Sequence, residues 1–272
     1  DDSKSTCFTS SVLSENLDIV GAPNIHLSIS SDKPAAQIAV RLNHIHPDGA
    51  STRITYGVFN LAHWKGSEMA TLLSPGEVFD VDFSLDQIAY RVPAGHKIRV
   101  SISSCYWPLI WPSPEATCLT IEAGSVDVPL RPSGISDECH FPNPETELPW
   151  QTEQIRPASN SRKAIKDMKT GVTTVEVIDD FGSVRDCQHG LVSGSIAREW
   201  WSIHPDDPLS AEARTHWSTE NSRGEWSVRT ETWAKMTSDK ENFFLEARLE
   251  AYEGENLVFE KEIKDSVPRD NR

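Results

Sequence analysis

Apolar and polar residues alternate along much of the first half of the chain. Ile25, Leu27 and Ile29 alternate with His26, Ser28 and Ser30, and Ile38, Val40 and Leu42 alternate with Ala39, Arg41 and Asn43. Further on, Val81, Phe83 and Leu85 alternate with Asp80, Asp82 and Ser84, and Ile98, Val100 and Ile102 with Lys97, Arg99, Ser101 and Ser103. Successive side chains of a strand point to opposite faces, so this period of two predicts strands with one buried face. Turn signals separate the runs: Ser31-Asp32-Lys33-Pro34, His46-Pro47-Asp48-Gly49, Ser74-Pro75-Gly76 and Pro93-Ala94-Gly95. In them Pro fixes φ and Gly accepts a positive φ. Short strands, frequent turns and no helical period predict an all-β fold, with a jelly-roll β-sandwich over residues 1–131.

The pattern then changes. Pro142, Pro144 and Pro149 lie among polar residues, and 132–157 reads as a Pro-rich surface linker. Alternation resumes in longer runs, which predict a second antiparallel β domain over 158–272. Trp226, Val228, Thr230 and Thr232 alternate with Ser227, Arg229, Glu231 and Trp233, and Phe243, Leu245, Ala247, Leu249 and Ala251 with Phe244, Glu246, Arg248, Glu250 and Tyr252. Charge on alternate residues predicts an antiparallel meander with one solvated side. Its hairpin turns are expected at Asn221–Gly224, Ser238–Lys240 and Glu253–Asn256.

Composition narrows the function. The 272 residues carry 26 Lys plus Arg against 41 Asp plus Glu, a net charge of −15 that repels phosphate backbones and anionic membrane surfaces. Neither nucleic acid nor membrane is an expected partner. No run reaches the ~20 apolar residues of a membrane span, and the N-terminal DDSKSTCFTS has neither the basic start nor the apolar core of a secretory signal. Cys7, Cys105, Cys118, Cys139 and Cys187 are odd in number and widely spaced, which suggests neither a disulfide framework nor a zinc ribbon. Reduced thiols in the cytoplasm are the expectation.

Candidate chemistry is sparse. A serine hydrolase needs a Gly-x-Ser-x-Gly turn between strand and helix; Gly190-Leu191-Val192-Ser193-Gly194 has its Ser one place late and strand-like sequence after it. No phosphate-binding glycine loop is present, so no cofactor is expected. His44 and His46 would share one strand face, but Asp48 reads as a turn residue, His63 is remote in sequence and His96 reads as a turn histidine, so no metal is expected. Asp179-Asp180 would point to opposite faces of a strand, and Asp206-Asp207 sits between Pro205 and Pro208, which favours loop roles. Tyr106-Trp107-Pro108-Leu109-Ile110-Trp111-Pro112 is different: large aromatics in a Pro-braced loop after a strand make an apolar platform. An interdomain surface of Tyr106, Trp107 and Trp111, the domain's own core, and a ligand platform all fit that pattern.

Several short motifs occur in order: Leu17-Asp18-Ile19-Val20-Gly21-Ala22-Pro23, Ser31-Asp32-Lys33-Pro34, Val40-Arg41-Leu42, Pro47-Asp48-Gly49-Ala50-Ser51, Ile54-Thr55-Tyr56-Gly57, Pro75-Gly76, Ala94-Gly95-His96-Lys97-Ile98-Arg99-Val100, and Trp107-Pro108 through Pro112-Ser113-Pro114. Together they resemble the C-terminal domain of the X-Pro dipeptidyl-peptidase and cocaine esterase family of serine hydrolases. The later segment, with Ser202–Ala211 and Val267-Pro268-Arg269-Asp270, resembles an extension carried by a bacterial subgroup. The resemblance implies a jelly-roll, galactose-binding-like sandwich, and a catalytic Ser, Asp and His on a preceding α/β-hydrolase domain that nothing here matches. No catalytic residue is therefore carried over, and the start at Asp1 reads as a cut near a domain boundary. The implied partner is an N-terminal α/β-hydrolase domain of the same protein, with a homo-oligomer left open. The implied role is to brace that domain and help shape its cleft, the parent cleaving X-Pro peptides, esters or amides. A free-standing carbohydrate- or ligand-binding sandwich is the alternative.

Overall fold

The computed structural model describes residues 2–132, 134, 136 and 138–270. Among them there is no α-helix, and strands dominate. The chain divides into two compact units, one of residues up to Cys139 and one spanning His140–Asp270.

In the first unit the strands are β1 (Thr6–Thr9), β2 (Leu17–Gly21), β3 (Asn24–Ser31), β4 (Gln37–Ile45), β5 (Ser51–Asn60), β6 (Val78–Ser84), β7 (Ile88–Val92), β8 (Lys97–Ser103) and β9 (Leu119–Asp127). One sheet has the order β1-β8-β4-β5. In the second layer β3 lies between β6 and β9, and β2 pairs with β7. The two pieces of this layer are continuous. Beyond β9, Val20 N–H donates to Pro129 O at 3.0 Å and Arg131 N–H to Asp18 O at 2.8 Å, so β2 and β3 act as one long strand bent at Gly21. Gly21 has φ +127°, and a Cβ there would lie 3.2 Å from the Pro129 ring, so the bend excludes a side chain.

The alternating residues meet between the layers. Ile25, Leu27 and Ile29 of β3 pack with Ile38, Val40 and Leu42 of β4, Phe79 and Val81 of β6, Val92 of β7 and Ile102 of β8. Each such side chain contributes roughly 1.5–3 kcal/mol of burial. The intervening residues of β4 depart from the expected pattern, because Ala39, Arg41 and Asn43 are buried too. Neighbouring segments cover this outer face. Arg41 lies 4.8 Å from the centre of the Tyr106 ring and donates to Ser5 Oγ, while Asn43 Nδ2 donates to Asp2 Oδ1 at 3.1 Å and Ser101 Oγ at 2.9 Å.

In the second unit the strands are β10 (Thr152–Arg156), β11 (Ser159–Lys166), β12 (Thr173–Asp186), β13 (Val192–His204), β14 (Asp207–Arg223), β15 (Trp226–Ser238), β16 (Asn242–Glu253) and β17 (Asn256–Pro268). They form an antiparallel sheet in the order β10-β12-β13-β14-β15-β16-β17, with β11 also paired to β12. β10 lies within the stretch read as a linker. Its Thr-Glu-Gln-Ile-Arg sequence lacks a buried alternate face because it pairs only with β12, at the sheet's edge, and most of its residues stay exposed. β10 and β11 run end to end along β12, and Gly182 marks the junction: φ is +75°, and a Cβ would sit 2.5 Å from Arg156 O. The β14–β15 and β16–β17 hairpins close through Gly224-Glu225 and Gly254-Glu255, with φ +61° and +56° at the glycines, as a glycine-first two-residue loop requires. The predicted period survives in the register, but the charged face is not simply solvated as expected, because Glu231 and Glu250 are buried on it among hydrogen-bonding and ion-pair partners. Glu231 lies opposite Glu250, Trp233 opposite Arg248 and Arg229 opposite Tyr252 on one face, while Thr232 lies opposite Leu249 and Met236 opposite Leu245 on the other.

Candidate functional site

The aromatic loop follows β8. Its first ring is not a surface group: Tyr106 is buried against the sandwich itself, accepting a hydrogen bond from Arg53 Nη1 at 2.6 Å and meeting Tyr56 edge-on at 5.8 Å. Sequence pattern placed it with the two tryptophans because all three are aromatic neighbours; the cations of β4 and β5 draw it inward. Trp107 and Trp111 are half-buried and meet edge to face, with centroids 5.2 Å apart. The loop is pinned by Gln37 Nε2, which donates to Trp111 O at 2.9 Å, and by Ile110 N–H, which donates to Tyr106 O at 3.1 Å. A tryptophan pair held this way is a rigid, partly apolar contact element at one end of β8.

The other end of β8 carries the histidines. His44 projects from the end of β4 and is 3% exposed. Its Nδ1 lies 2.9 Å from Tyr90 Oη of β7, in the opposite layer, and its Nε2 lies 2.6 Å from His96 Nδ1. His46 stacks on His44 with ring centres 4.0 Å apart, and its Nε2 lies 3.2 Å from Thr52 Oγ1. Burial pushes the His44 imidazole below its ordinary pKa, and the neighbouring His46 and His96 push it the same way. The sequence pattern found the first pair but not its third member, which arrives from a turn 52 residues away. Asp48 does not join them: its Oδ1 accepts Ala50 N–H at 3.0 Å, closing the turn in which Gly49 has φ +90°. His63 ends a short 3-10 turn elsewhere in the unit.

The remaining candidates have local roles. Asp179 pairs with Arg162 and Asp180 with Arg156, on opposite faces of β12. Asp207 Oδ1 accepts Leu209 N–H at 3.0 Å in its hairpin, and Ser193 lies in β13. His216 Nε2 lies 2.7 Å from Glu231 Oε2, but Ser218 Oγ donates to that same carboxylate and not to the imidazole, so the trio is not arranged to activate a serine. A cleft of about 380 Å³ on the charged face of the second unit is lined by Trp200, Arg214, Trp233, Lys235 and Arg248. Three of its cations already have carboxylate partners, Glu212 for Arg214 and Lys235, and Glu250 and Glu260 for Arg248. A cleft of about 420 Å³ at the edge of the sandwich is largely aliphatic, with Phe8, Ile98, Val100, Ile121 and Val126, and suits a sugar poorly.

The chain is similar to cocaine esterase from Rhodococcus sp. (strain MB1 Bresler), with 24% identity over 102 residues, 38% of this chain and 18% of that protein. Among solved structures it is similar to a selenomethionine-labelled alpha-amino acid ester hydrolase, at 18% identity and a TM-score of 0.45, over 47% of this chain and 26% of that one. It is also similar to an aminopeptidase from the marine sediment archaeon Thaumarchaeota archaeon, at 22% identity and a TM-score of 0.40, over 41% of this chain and 20% of that one. The chain thus spans about a fifth to a quarter of the length of these relatives. Residues 1–154, more than half of the chain, match the family described as the X-Pro dipeptidyl-peptidase C-terminal non-catalytic domain, and the chain belongs to that family.

Proposed function

We propose that this chain is the C-terminal, non-catalytic region of a serine hydrolase of the X-Pro dipeptidyl-peptidase and acyl-esterase type, bracing an N-terminal α/β-hydrolase domain and helping to shape its cleft. The observation that carries the reading is the family match over residues 1–154, which includes the whole β-sandwich; among the described residues of that sandwich no serine hydroxyl is hydrogen-bonded to a histidine ring. The parent would attack an acyl carbonyl with serine, on an X-Pro peptide, an ester or an amide. Within this chain Trp107 and Trp111 are the residues assigned to the interdomain contact. Their loop is fixed by Gln37, so little ordering remains to be paid when a partner surface covers the rings.

The coding sequence upstream of Asp1 is the first test, since the proposal requires an α/β domain with a Gly-x-Ser-x-Gly elbow there. The second is the double substitution Trp107→Ala, Trp111→Ala in the parent and in the 272-residue chain alone. A greater loss of thermal stability in the parent is expected, because ring surface that is only half-buried in the 272-residue chain is covered in the whole protein. Equal losses in both would assign the rings to the sandwich's own packing.

A further inference from the structure

We propose that His44, His46 and His96 form a binding site for a divalent transition-metal ion of the zinc class, at the end of the sandwich opposite the tryptophan loop. One nitrogen from each residue can be chosen so that all three lie within 4.8 Å of one another, which makes them a ligand set in space though not in sequence. Imidazole nitrogen is a good ligand for zinc, copper and nickel and a poor one for magnesium or calcium.

The far side of two of the rings is already held. Tyr90 Oη engages His44 Nδ1 and Thr52 Oγ1 engages His46 Nε2, leaving His44 Nε2 and His46 Nδ1 as the nitrogens these hydroxyls do not occupy. An outer hydrogen bond of this kind fixes the tautomer and the ring orientation of a metal-ligating histidine. The third nitrogen, His96 Nδ1, is already 2.6 Å from His44 Nε2. A tetrahedral ion about 2 Å from each nitrogen holds them about 3.3 Å apart, so the close pair must open by about 0.7 Å and the wider spacings, up to 4.8 Å, close by up to about 1.5 Å. The fold allows this. His44 is anchored on β4, whereas His46 opens the Pro47-Asp48-Gly49 turn and His96 ends the Pro93-Ala94-Gly95 turn, and both are half-buried.

The three rings lie with centroids 4.0, 4.7 and 5.4 Å apart, close enough for one ion to bridge them. Three protein ligands also leave a fourth position for water or an external donor, the pattern of an open rather than a closed zinc site. The ion would join the turn after β4 to the turn before β8 and so clamp the end of that sheet. This inference does not depend on the hydrolase reading.

The test is isothermal titration of the tag-free, chelator-stripped 272-residue chain with zinc chloride, then with nickel, magnesium and calcium chlorides. One zinc or nickel ion per chain is expected, with magnesium and calcium giving no heat. His96→Ala and His46→Ala, both at half-exposed turn positions, are expected to weaken zinc binding by about 100-fold, the loss of one of three ligands, while His189→Ala leaves it unchanged. Thermal unfolding of each variant without metal checks that it is folded, and cobalt(II) absorption in the visible range reports the imidazole-bound ion in the unaltered chain and its loss in the variants. No zinc heat in the unaltered chain would overturn the proposal. So would binding that survives His96→Ala and disappears on alkylation of the five free thiols, which would assign the ion to cysteine.

Discussion

Replacing Tyr106 separates a residue of the sandwich from a residue of an interface. Tyr106 is 8% exposed; its hydroxyl accepts from Arg53 at 2.6 Å, and its ring lies 4.8 Å from the Arg41 guanidinium, itself buried. Tyr106→Phe keeps the ring and the cation–π contact but removes the acceptor. Arg53 is exposed and can turn to water, so the cost is only about 1 kcal/mol. Tyr106→Ala also removes the ring from over Arg41 and empties a buried site, a loss of about 3 to 4 kcal/mol by the range for buried aromatics truncated to alanine. For a unit of this size that is about 10 °C in the unfolding temperature. The assay is differential scanning calorimetry of the 272-residue chain, reading the transition of the first unit. An unfolding temperature within 2 °C of the unaltered chain for Tyr106→Ala would refute the reasoning, because a ring that matters only against a partner domain costs the isolated chain nothing.

Gly124→Ala is expected to cost about 2 kcal/mol in urea unfolding, since the new Cβ would lie 2.5 Å from Leu27 Cδ2 and 3.0 Å from His26 O. Gly49→Ala, with φ +90° and nothing within 4 Å, is expected to cost about half of that. Burial alone would raise the Glu231 carboxyl, but hydrogen bonds from His216, Arg229 and Ser218 outweigh it and hold the pKa below the ordinary 4.5. A depressed carboxylate stabilises the fold fully above that value, and the contribution is lost as pH falls through the lower folded value. Thermal unfolding of the second unit between pH 6 and 3 should therefore decline less steeply in Glu231→Gln than in the unaltered chain. The chain alone is expected to give no serine-reagent-sensitive turnover of p-nitrophenyl acyl esters or X-Pro p-nitroanilides, and such turnover would contradict its non-catalytic assignment.

Where one face of a strand is buried and the other is wet, alternation is written into the residues themselves: β3 and β6 were legible for that reason, and the positive φ of Gly254 and Gly224 is a local requirement, although the turn at Gly224 is tighter than expected, with Asn221–Arg223 still in β14; in β15 and β16 the face expected to be solvated instead holds the buried Glu231 and Glu250. The all-β class followed from such local rules, and the ordered motifs pointed to the family. Elements set by distant neighbours were not legible. β10 has no apolar period because an edge strand needs none, and Arg41 and Asn43 look like surface residues until Tyr106, Ser5 and Asp2 cover them. The histidine cluster is the plainest case. His44 and His46 share a face by strand geometry, but His96 joins them only because β8 pairs with β4 and brings its preceding turn alongside. A period of two records which side of a strand faces inward; which side chain waits there is decided by the pairing of strands some fifty residues apart.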